Sequence, residues 1–166
     1  MWNGLKQLII KLVYKCIWEW GISGKSLVSY VFLLLLAAAA WKDIRTRRIP
    51  NVFVLGIAAA GILSIPFFPA ISLADRGIGI FCVSLPLLII TLLIPGSFGG
   101  GDIKLTAASG IFLGWEMNLR AFALAVLIAG AWCIWKLLRK QLDRKAQIAF
   151  GPFLCIGIFT EVIRLI

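Results

Sequence analysis

The chain contains no histidine. That excludes a Ser–His nucleophile pair, the His-Glu-x-x-His zinc site of metalloproteases and any haem or zinc centre built on imidazole. Acids are scarce, 7 Asp and Glu against 17 Lys and Arg. The four cysteines, Cys16, Cys82, Cys133 and Cys155, lie far apart and form no C-x-x-C. Neither a zinc knuckle nor a redox pair is expected of them; they read as small lipophilic fillers. No soluble domain, repeat array or low-complexity linker is visible along the 166 residues.

What is there is apolar. Hydrophobic residues make up 61% of the chain, and mean hydropathy is +1.00, whereas a soluble domain is nearer half apolar. The expectation is an all-α membrane protein, a polytopic bundle of about six transmembrane helices. The apolar stretches run over about residues 26–41, 52–69, 77–95, 103–115, 119–138 and 148–165, so residues 26–166 read as one six-helix domain. The fourth stretch is short of the ~20 residues a bilayer needs, and must be shielded by its neighbours or lie at a dip in the membrane. Residues 1–25 read as an N-terminal amphipathic helix at the interface. There Lys11, Lys15 and Glu19 share one face, and Leu5, Ile9, Leu12, Cys16 and Trp20 another. A cleaved signal peptide and a tilted seventh span are the alternatives.

Net charge is +10. In a soluble protein that excess would suggest nucleic acid. Here the basic residues crowd short loops, so they set topology, and nucleic acid is not an expected partner. One set comprises Lys42, Arg45, Arg47, Arg48, Lys104, Lys136, Arg139, Lys140, Arg144 and Lys145, and falls on one face if all six segments cross. By the positive-inside rule that face is cytoplasmic. The four lysines of the N-terminal stretch count against an outward N-terminus.

Two acids stand out. Asp43 follows the first apolar stretch, and Asp102 opens the fourth behind Gly99-Gly100-Gly101. A carboxylate at a membrane edge is costly and often functional. The chain crosses twice between them, and an even number of crossings returns it to the same face. If the carboxylates touch, they cannot both ionise easily, and the pair holds one proton. Its ionised member can take a proton from water while its protonated member polarises a peptide carbonyl. Which Asp plays which part stays open, because a coupled pair titrates as a unit. Gly99 and Gly101 would leave room for an extended peptide beside Asp102. Lys104 is close enough to tune the charge of Asp102. Taken singly, Asp43 could balance its arginines, and Asp102 could be a helix N-cap.

At these residues the chain resembles the type IV prepilin peptidase family, among the GxGD intramembrane aspartyl proteases. Three stretches carry the resemblance: Asp43-Ile44-Arg45-Thr46-Arg47-Arg48-Ile49-Pro50-Asn51, Gly99-Gly100-Gly101-Asp102-Ile103-Lys104-Leu105 and Phe150-Gly151-Pro152-Phe153-Leu154. The resemblance implies that Asp43 and Asp102 are the catalytic pair, with Gly151 and Pro152 shaping the site. It implies a prepilin-like substrate, cut on the cytoplasmic side of the cell membrane after a glycine that precedes a hydrophobic segment. Longer members carry a loop with paired C-x-x-C motifs and also N-methylate the new N-terminus. This sequence resembles the short, peptidase-only branch, so methyl transfer is not expected. The reading needs no cofactor and no metal; membrane lipids are the other expected partner, and oligomeric state is open.

Other readings compete. Asp43 and Asp102 could be proton or cation sites of a small transporter. The protein could be a scaffold of a secretion or pilus machine. A Ser–Lys protease could be built on Ser97 and Lys104.

Overall fold

A computed structural model describes residues 24–139 and 149–166. It contains five helices: α1 (Gly24–Thr46), α2 (Asn51–Leu63), α3 (Leu73–Leu93), α4 (Gly100–Leu138) and α5 (Gly151–Leu165). Among the described residues there is no strand. The expected amphipathic helix falls almost wholly on residues 1–23, outside those described; Lys25 already belongs to α1.

Each helix stops and starts for local reasons. α1 ends where Arg47 turns to a positive φ of 52°, its N–H donating to the Asp43 carbonyl at 2.8 Å. The Thr46 hydroxyl ties this turn to the carbonyls of Lys42 (2.9 Å) and Arg48 (3.0 Å). Pro50, which lacks an N–H, is the N-cap of α2. α2 is shorter than the apolar pattern suggests, because its cap Ser64 bonds back to Gly61 and two prolines, Pro66 and Pro69, follow. α3 starts four residues earlier than expected. A reciprocal capping box between Ser72 and Asp75 opens it, so Asp75 lies in a first helical turn and not in a loop.

Gly114 breaks α4. Its φ of 74° and ψ of −179° are non-helical. The Asn118 amide donates to the carbonyls of Thr106 (3.0 Å) and Gly79 (2.9 Å) and accepts from the Ser109 hydroxyl at 3.0 Å. In an unbroken helix residues 106 and 118 would lie roughly 18 Å apart. The second arm of α4 (115–138) is therefore folded back beside the first (100–113), with Asn118 as the clasp.

The bundle is inverted with respect to a soluble protein. Leu34, Leu92 and Leu127 are at least 70% exposed, while Arg76, Asn118, Ser109 and Glu161 are buried. Helices α1, α3 and α4 are long and apolar enough to cross a membrane, and α2 is a shorter apolar helix. All-helical among the described residues, this is a multi-pass membrane protein. Its centre is the ring stack Phe32–Phe112–Phe68, with centroids 4.2 and 5.6 Å apart. α3 meets the first arm of α4 backbone to backbone: a Cβ on Gly79 would stand 2.6 Å from the Gly110 carbonyl oxygen. Only paired glycines permit that approach.

Two buried charges hold the end remote from Asp43. The Arg76 guanidinium donates to Ile111 O (2.6 Å), Ser64 Oγ (2.9 Å), Phe68 O (3.3 Å), and Ile71 and Gly61 O (both 3.4 Å). It thus neutralises the carbonyl ends of α2 and of the first arm of α4. Glu161 bridges Arg164 at 2.9 Å and Arg120 at 3.6 Å, tying α5 to the second arm.

Candidate active site

Asp43 lies in the last turn of α1 and Asp102 in the first turn of α4. Both are nearly buried, 5% and 7% exposed. Asp102 is not the N-cap of its helix. Gly99 is, and Asp102 stands three residues in, its carboxylate facing back to the Gly99 N–H. Its own N–H donates to the Gly99 carbonyl at 3.0 Å.

α5 brings the two carboxylates together. The Gly151 N–H faces Asp43. A methyl group on the Gly151 α-carbon would collide with the Asp43 carboxylate, 2.9 Å from its Cγ, and would stand 3.2 Å from Asp102 Oδ1. One missing side chain thus lets both acids rest against the same stretch of backbone. Two carboxylates so placed can share one proton and divide the base and acid work of hydrolysis between them.

The pair opens onto a cleft of about 680 Å³, lined by Arg47, Arg48, Ile49, residues 96–101, Ala149 and Phe150. The glycines divide the work. A Cβ on Gly100 would meet nothing within 4 Å, so it faces open space. Gly101 also lines the cleft, but its bare α-carbon is closed by Ile49, whose Cβ would stand 3.0 Å away. Its use is packing against the α1–α2 turn. Gly99 lines the wall beside Asp102.

Lys104 does not reach Asp102. Its Nζ donates to Asn51 Oδ1 at 3.1 Å, so it pins the start of α2 to α4. Ile49 and Asn51 together lock the Asp43 turn to the helix that carries Asp102. Pro152 sits in the first turn of α5 and does not line the cleft. Ser97 lines it, but its hydroxyl donates to the Ile94 carbonyl at 2.6 Å, so no Ser97–Lys104 pair forms. Phe98 is a wall residue that sequence reasoning did not single out. It meets Phe150 edge-on at 5.7 Å, and Phe150 meets Phe122 of the second arm at 6.1 Å.

Comparison with known proteins places these residues in a family. The type IV leader peptidase family matches residues 30–134, a stretch that holds both aspartates. The chain is 33% identical over 143 residues to the prepilin leader peptidase/N-methyltransferase of Bacillus subtilis strain 168, covering 84% of this chain and 56% of that protein. To the protein of the same name from Pectobacterium carotovorum it is 32% identical over 145 residues, covering 83% and 49%. To that of Dickeya chrysanthemi it is 30% identical over 167 residues, covering 93% and 54%. The chain thus spans about half the length of these curated relatives. No solved structure matches it.

Proposed function

The chain belongs to the type IV leader peptidase family, and from that premise we propose that it is a membrane-embedded aspartyl endopeptidase that removes the leader of prepilin-like precursors. Asp43 and Asp102 are the proposed catalytic pair. The observation that carries this reading is the seating of both carboxylates against Gly151, next to a cleft with a glycine-lined wall. The ionised carboxylate takes a proton from water, and the resulting hydroxide attacks the scissile carbonyl carbon. The protonated partner hydrogen-bonds the carbonyl oxygen and then supplies the proton that the departing amine needs. Gly96, Gly99 and Gly100 offer an extended peptide bare backbone to lie along.

The proposed unit is residues 26–166, crossing the membrane six times, with the two arms of α4 as separate spans. The cleft faces the cytoplasm, where the positive-inside rule puts Arg45, Arg47 and Arg48. The substrate is cut after a glycine that precedes its hydrophobic segment. The sequence holds no C-x-x-C, and the proposed activity is hydrolysis alone.

The test is cleavage of a prepilin-leader peptide in liposomes, read by mass spectrometry. Wild type should cut once, after the leader glycine. Asp43→Asn and Asp102→Asn should each remove cleavage while remaining folded and inserted; substantial turnover by either variant would sink the pair.

A further inference from the structure

Three tryptophan–cation pairs mark the end of the bundle that holds the aspartates. The Arg45 guanidinium lies 4.6 Å from the Trp41 ring centroid, Lys136 Nζ 5.4 Å from Trp132, and the Arg139 guanidinium 4.3 Å from Trp135. Each cation follows its ring by four residues. Both helices run outward at this end. Asp43 lies two residues beyond Trp41 on α1. The second arm of α4 returns past the cleft, touching it through Phe122 and Phe150, before it reaches Trp132 and Trp135. The α-carbon of each cationic residue therefore stands one helical turn, roughly 6 Å, farther out than that of its tryptophan, and the charge folds back over the indole.

A bilayer edge suits that arrangement, with indoles at the headgroup level and positive charge at their faces. Inward of the indoles the exposed side chains are apolar, Leu34 and Leu127 being 71% and 70% exposed. Among the described residues no carboxylate pairs with Arg45, Lys136 or Arg139; the salt bridges all involve Arg120 and Arg164 at the other end. The far end is built differently. There Lys25 stands 5.9 Å from the Phe68 ring, and Trp115, with no cation above it among the described residues, donates its indole N–H to Asp75 at 3.1 Å. Indoles seek the headgroup level of a membrane, and cations there that no carboxylate among the described residues pairs attract anionic headgroups.

We propose that the three pairs form a collar that binds anionic phospholipid at the active-site end and sets the height of the cleft against the membrane surface. The collar stands on the geometry of α1 and α4 and does not depend on the peptidase reading.

The test is lipid selectivity by electron spin resonance, with the full chain in phosphatidylcholine vesicles carrying spin-labelled phosphatidylglycerol or spin-labelled phosphatidylcholine. Wild type should hold phosphatidylglycerol preferentially, and less so at high salt. Replacing Arg45, Lys136 and Arg139 together by Gln should cut that preference roughly tenfold or more. Lys25→Gln, at the opposite end, should leave it within about twofold. Equal losses in both, or none in the triple variant, would overturn the collar. Trp41, Trp132 and Trp135 replaced together by Leu keep every cation and should still lose part of the preference; full retention would refute the pairing. Arg45→Lys with Arg139→Lys should restore binding, which separates lost charge from lost fold. Inorganic phosphate should displace no more lipid than chloride at equal ionic strength. Selective displacement would make free phosphate the ligand and overturn the assignment to lipid.

Discussion

Adding one methyl group to Gly151 tests the geometry of the site directly. Carbon atoms pack best at roughly 3.5–4.0 Å, yet the new Cβ would stand 2.9 Å from Asp43 Cγ and 3.2 Å from Asp102 Oδ1. Asp43 is held by its helix and Asp102 by the first turn of α4, so the carboxylates must part or α5 must retreat. Overpacking of this kind costs about 1–3 kcal/mol. At an uncrowded helical position the same change would instead stabilise by up to about 1 kcal/mol. The sign of the stability change therefore separates the two cases. A displacement of catalytic groups approaching 1 Å costs on the order of a hundredfold in rate. Gly151→Ala should thus lower kcat for leader cleavage roughly a hundredfold, with KM nearly unchanged, and should lower Tm in detergent. Gly77→Ala, which also meets nothing within 4 Å and does not line the cleft, is the matched control and should keep activity within about threefold. If Gly151→Ala cleaves at the wild-type rate with an equal or higher Tm, the carboxylates do not rest on this glycine.

Two further substitutions address the supports of the site. Asn118→Ala should destabilise by about 1–3 kcal/mol, since it removes the amide's two donated bonds, to the Thr106 and Gly79 carbonyls, and the one it accepts from Ser109; thermal unfolding in detergent checks this, and an unchanged Tm would remove Asn118 as the clasp. Lys104→Ala should cost less than about 0.5 kcal/mol and leave the pH–rate profile unmoved, because Lys104 reaches Asn51 and not Asp102. A displaced profile would return Lys104 to the tuning role that its place in the sequence suggested.

That Asp43 and Asp102 share one end was legible from parity, since two helices, α2 and α3, separate them and a helical hairpin returns the chain to the end it left; that the carboxylates meet was not. The motif around Gly151 was legible as a site wall, but not as the surface on which both acids rest. That contact depends on how close α5 comes to α1, which no periodicity encodes. Lys104 misled for a similar reason. Two residues from Asp102 is near in sequence, but successive helical residues point about 100° apart, and only residues three or four apart share a face. Of the two partners of Glu161, Arg164 lies three residues on in the same helix, but Arg120 lies on the second arm of α4, where no sequence spacing points to it. Prolines and a Ser-x-x-Asp box mark two helix ends that the apolar pattern missed: α2 stops at Leu63, before Pro66, and α3 opens at Leu73, behind Ser72 and Asp75. The extension of α1 to Thr46 was not legible, since its stop is an arginine at positive φ, where glycine is the usual choice.

Arg76 bears on the order in which the chain is put together. Four of its acceptors, on Gly61, Ser64, Phe68 and Ile71, are made before it; the fifth, on Ile111, comes 35 residues later. A lone α3 would bring an unpaired guanidinium toward lipid, an expense of several kcal/mol at worst. Emerging after α2 and its following turn, it finds a ready-made ring of oxygens. The α2–α3 segment thus carries four of the five acceptors that satisfy this charge. The Ile111 carbonyl is then the latch by which α4, and with it Asp102, joins a half that already exists.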